Sequence, residues 1–207
     1  MAVGEFLSVR RWPGPVIMAG GAIMAALFPV YSILHGPTSV YERGDWLGLE
    51  GQVWGGLMSG VPSVLIASGL MGARAFVAGD GRTARIGYVL LLVSLWIPGV
   101  LDLLLRAISP PFLMPIEAAG LLLLGLDRSE RQALSTAARR AMVGMGGLLV
   151  VAFVSALSPQ EFSDRFNGYR VFGVLAYLLV GLGWFVVGAT IARQAAIVRH
   201  AEPLKTP

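Results

Sequence analysis

The sequence predicts an all-α, polytopic integral membrane protein: one bundle of about six transmembrane helices with both termini in the cytoplasm. Three observations predict it. The chain is 56% hydrophobic and only 14% charged, with a mean hydropathy of +0.72. Ordinary soluble domains carry about 25% charged residues, so a soluble fold of this composition would lack the polar surface to cover itself. Several apolar runs approach the ~20 residues needed to cross a bilayer core. The basic residues then alternate from loop to loop in the pattern that orients membrane helices.

The first apolar run, about 15–34, follows Arg10 and Arg11. A secretory signal would have an apolar stretch of only about 7–15 residues before a small-residue cleavage site. Here the run is longer and ends in Tyr-Ser-Ile-Leu-His, so it reads as a helix. The next helices fall at about 53–77, 86–105, 112–126, 141–157 and 171–191, followed by a short tail over 192–207. The fourth is the shortest and carries Pro115 and Glu117; a re-entrant segment there would change the count and the later topology. No second domain is expected within residues 1–207.

Orientation comes from arginine. Arg10, Arg11, Arg74, Arg82, Arg85, Arg128, Arg131, Arg139, Arg140, Arg193, Arg199 and Lys205 fall on one side, and Arg43, Arg106, Arg165 and Arg170 on the other. The positive-inside rule assigns the richer side to the cytoplasm. Trp12, Trp46, Trp54, Tyr88 and Tyr169 lie near predicted interfaces, where amphipathic rings are favoured. The preference for Arg, Ala, Gly, Val and Leu points to a bacterial gene, and hence to the bacterial plasma membrane, with the lipid bilayer as the main partner.

Small residues recur at close-packing spacing: Gly20-Gly21 with Ala25, Gly55-Gly56 with Gly60, Gly144 with Gly146-Gly147, and Gly181 with Gly183 and Gly188. Such residues let helix backbones approach in lipid, within the bundle or across a homo-oligomer or membrane-protein interface. Pro29, Pro62, Pro98 and Pro115 are possible kinks. The segments 39–45 and 158–164 share the pattern S-x-x-E-x-x-D, a capping-box signature at its start. Their Glu42, Asp45, Glu161 and Asp164 read first as solvated loop charges and second as an outer cation site. The basic 127–140 loop fits contact with anionic head groups.

Several chemistries are excluded. There is no cysteine, hence no disulfide, thiolate metal site or cysteine nucleophile. His35 and His200 lie outside the apolar cores, which argues against axial haem ligation. No H-E-x-x-H, P-loop or G-x-S-x-G occurs. No metal, cofactor or nucleic-acid partner is expected.

One constellation carries chemistry. Intramembrane charge is costly and usually faces the protein interior or a watery cavity. Asp102 and Arg106 lie near the outer end of the third helix, Glu117 in the fourth, joined by the short linker Ile108-Ser109-Pro110-Pro111. With a tight hairpin, each carboxylate would sit about 9 Å below the tip and the two would face each other. Arg106, four residues from Asp102, would share its helix face. Pairing Asp102 with Arg106 leaves Glu117 as a proton donor, the division of labour that acid–base chemistry or proton coupling requires. The plainer reading is an ion-pair network joining two helices, with Arg106 snorkelling to the head groups. Pro98-Gly99 would free backbone carbonyls toward a cavity.

Two functional readings follow. The first is a small transporter, or an accessory subunit of a membrane complex, handling a small or lipophilic solute. The second is a membrane-embedded acid–base cyclase or isomerase acting on a lipid or isoprenoid. There Glu117 would be the acid, Asp102 and Arg106 would tune it, and Trp96 and Trp184 would line the substrate pocket and stabilise cations.

Overall fold

In the computed structural model, residues 12–35, 46–78, 81–106, 113–127, 134–156 and 168–201 are described, without the side chains of residues 32, 35, 155, 156, 168–173 and 199–201. Outside them lie both S-x-x-E-x-x-D segments, the 108–111 linker and residues 128–133 of the 127–140 loop. The described chain is helical: α1 (Pro13–His35), α2 (Gly51–Gly72), α3 (Arg74–Val77), α4 (Arg82–Leu105), α5 (Met114–Leu126), α6 (Thr136–Ala156) and α7 (Gly168–Ala201).

Five helices are long and apolar enough to cross a membrane, through Pro13–Tyr31, Gly51–Gly72, Arg82–Leu105, Thr136–Val154 and Val174–Val198. The sixth, α5, has only 13 residues. Its length of roughly 20 Å falls short of the ~30 Å hydrocarbon core. Pro115 lies at its first turn, where the missing N–H costs nothing, so it begins the helix and does not kink it. Pro29, Pro62 and Pro98 lie inside continuous helices. The last helix runs on through 192–201, assigned above to a tail, because Ala, Gln, Arg, Ile and Val sustain a helix and no Pro intervenes before Pro203.

The long helices close a ring. Each packs on its sequence neighbour, and α7 returns to α1. Glycines set the approach. A Cβ at Gly21 would fall within 2.6 Å of the Gly181 carbonyl oxygen, and one at Gly188 within 2.7 Å of that of Gly14. These four glycines bring the α1 and α7 backbones together over two helical turns. A Cβ at Gly56 would reach 2.6 Å from the Asp102 carbonyl oxygen, and one at Gly60 2.7 Å from that of Gly99, joining α2 to α4. Gly144 and Gly147 differ: each is exposed and faces open space.

One half of the ring is solid. Ile66, Leu70, Leu91, Leu124, Met142 and Trp184 fill its centre, all 2% exposed or less. Tyr88, read from sequence as an interface residue, is buried in this half, and its hydroxyl donates to the Leu70 carbonyl at 3.2 Å. At the opposite end a second cluster gathers Phe28, Tyr31, Met58, Trp46, Trp54 and Tyr177. Trp46 is held there by a tight turn to Leu49, whose two backbone hydrogen bonds are each 3.0 Å, with Leu47 and Gly48 at positive φ.

Candidate functional site

Between the solid half and the aromatic end lies a cavity of about 100 Å³ to which the five long helices and α5 all contribute. Its polar surface comes from Ser59 and Ser63 of α2, Ser94 of α4, Glu117 of α5 and Tyr177 of α7. Met24, Pro98, Leu149 and Val180 supply apolar walls. No Lys, Arg or His is among the lining residues.

The position of α5 puts Glu117 there. Gly120 meets α4 backbone to backbone: a Cβ at Gly120 would sit 2.9 Å from both the Gly87 carbonyl oxygen and the Leu91 nitrogen. That register places Glu117 near the level of residue 92, close to the middle of α4. Asp102 is about ten residues further along α4, so the two carboxylates differ in depth by roughly 15 Å, given 1.5 Å of rise per residue. The tight hairpin expected from sequence puts them level. The structure separates them because α5 packs lower on α4, while the end of α4 toward Arg106 packs on α2.

Asp102 is buried, 2% exposed, and Ser59 Oγ donates a hydrogen bond to its Oδ2. Ser59 therefore has one side on the cavity and one on Asp102. Arg106 is exposed and caps α4 in the left-handed conformation (φ 52°), its N–H donating to the Asp102 carbonyl. Glu117 lies in the first turn of α5 and accepts no hydrogen bond from a described residue. Trp96 points outward at 39% exposure, and Trp184 is fully buried in the solid half with Nε1 unbonded. Neither is among the cavity residues.

Sequence reading passed over the serines. Ser59, Ser63 and Ser94 interrupt apolar runs, and Ser59 and Ser63 stand four apart on one helix face, the available signal. Two of them turn inward on their own helices: Ser63 Oγ donates to the Ser59 carbonyl at 2.8 Å and Ser94 Oγ to the Leu91 carbonyl at 3.1 Å. Pro98 lacks the N–H that would bond the Ser94 carbonyl, which leaves an acceptor on the segment of α4 that walls the cavity.

Above the cavity the rings of Phe28 and Tyr177 stack, centroids 4.4 Å apart, and Tyr177 belongs to both the wall and the aromatic cluster. Trp54 Nε1 donates to the Trp46 carbonyl at 2.9 Å, fastening α2 to the covering turn. Among the described residues no group of three or more metal-ligating side chains forms. The chain matches no family model, no curated protein and no solved structure.

Proposed function

We propose that this protein is a small membrane carrier that binds a cationic or proton-donating solute of a few heavy atoms at Glu117. One observation carries the reading: an acidic side chain with no hydrogen-bond partner among the described residues faces a cavity at mid-bundle. Ionisable groups inside a membrane mark solute or proton pathways by default. Carriers commonly place their sites near the bilayer midplane beside an incomplete helix, and the short α5 is such a helix. The absence of basic lining residues disfavours an anion. The cavity suits a small solute, and Trp96 and Trp184 are not among the residues that line it, so the carrier is preferred over the cyclase.

In this reading six segments cross or enter the bilayer, both termini are cytoplasmic, and the aromatic end faces outward. The arginine distribution supports that orientation. Native mass spectrometry of the gently purified protein and of Glu117→Gln tests the site. A small cationic molecule retained by the native protein and lost from the variant is expected. Bulk lipid alone in both samples would contradict it.

A further inference from the structure

The cavity is asymmetric, and the asymmetry says how a proton would reach Glu117. On one side of it, Leu70, Leu91, Leu124 and Trp184 pack closely, and the Tyr88 hydroxyl there is turned to the Leu70 carbonyl, away from any carboxylate. On the other, polar groups continue: Ser63, then Ser59, then Asp102. The register of α2 on α4, with Gly60 against Gly99 and Gly56 against Asp102, spaces them along the bundle axis. Asp102 in turn lies one helical turn from the exposed Arg106 at the end of α4.

A buried carboxylate facing the end of a helix pair is costly unless it serves the site. We propose that Asp102 and Ser59 form a proton relay that loads Glu117 from the Asp102 end of the bundle, which makes the carrier proton-coupled. This rests on the reading of Glu117 as the binding site. The transfer moves one proton and alters no bond to carbon. Hydronium at the Asp102 end protonates the Asp102 carboxylate and leaves as water. The resulting acid donates to Ser59 Oγ while that hydroxyl releases its own proton into the cavity. About 100 Å³ holds several waters, each needing roughly 10–15 Å³, to carry it to the Glu117 carboxylate.

The relay is tested in proteoliposomes holding an entrapped pH dye, with proton uptake followed after an external acid pulse and tetramethylammonium uptake measured in parallel. Native protein should take up protons, and Glu117→Gln should abolish uptake. Asp102→Asn and Ser59→Ala should slow it about tenfold, while Ser59→Thr, which keeps the hydroxyl, should retain it. Circular dichroism and a monodisperse elution profile confirm folding of each variant, and Ser59→Ala against Ser59→Thr decides the matter if Asp102→Asn does not fold. Native rates in Asp102→Asn or Ser59→Ala, with uptake still lost in Glu117→Gln, would overturn the relay and leave the Glu117 site standing. Glu117-dependent tetramethylammonium uptake without proton movement would do the same. Proton uptake that persists in Glu117→Gln would remove the binding site itself.

Discussion

Ser59 of α2 and Asp102 of α4 are joined by a hydrogen bond between their side chains across the contact of these two helices. Removing the hydroxyl strips a buried carboxylate of a donor, which costs about 1–3 kcal/mol. Ser59→Ala should therefore lower the thermal unfolding midpoint in detergent measurably. Ser63→Ala should shift stability by no more than about 0.5 kcal/mol, because that hydroxyl only returns to its own helix. Equal midpoints for the two variants would contradict the role given to the Ser59–Asp102 bond.

The depth of Glu117 depends on the contact between Gly87 and Gly120. A larger side chain at Gly120 has backbone atoms in its way at 2.9 Å, so α5 must shift or tilt. Overpacking of this kind costs about 1–3 kcal/mol. Gly120→Leu should destabilise the protein to that extent, read as a lower thermal midpoint. Gly147→Leu, at an open face of α6, should leave the midpoint unchanged.

Because the chain has no cysteine, single cysteines report accessibility without a background. Ser94→Cys on the cavity wall should react slowly with a charged, membrane-impermeant thiol reagent. Adding Phe28→Ala or Tyr177→Ala should speed the reaction several-fold, since Tyr177 is part of the cavity wall and Phe28 stacks on it. An unchanged labelling rate would mean that the aromatic end does not limit access.

The same background tests orientation. Leu47, 76% exposed in the turn that carries Trp46, lies at the aromatic end, and the exposed Arg140 lies at the opposite end. In sealed right-side-out vesicles the reagent should label Leu47→Cys and spare Arg140→Cys. In inverted vesicles the pattern should reverse. Labelling of both from one side would refute the six-segment arrangement.

Much of the helical architecture was legible in the sequence because hydrophobic runs are local signals. Every long apolar run became a helix. The weakness of the 112–126 segment was also legible, and α5 is the one helix too short to span alone. What was not legible is register between helices. The linker suggested that Asp102 and Glu117 stand level, yet the approach of Gly87 to Gly120 is a tertiary contact that no local pattern reports. Side-chain direction was lost for the same reason. Trp96 and Trp184 both read as interior tryptophans, but one faces outward and the other fills the solid half. Gly144 and Gly147 look like the packing glycines of α1 and α7 and face open space instead. The serines were visible as polar interruptions, but their convergence on one cavity follows only from closing the ring.

The most direct measurement is of currents on a solid-supported membrane, with native protein and Glu117→Gln compared across sodium, potassium and tetramethylammonium at fixed pH. The carrier reading predicts a transient current for at least one of these cations in the native protein, absent in Glu117→Gln although that variant still folds. A native current that Glu117→Gln reproduces, or no current from any of them in the native protein, would contradict the assignment of Glu117 as the binding residue of a cation carrier.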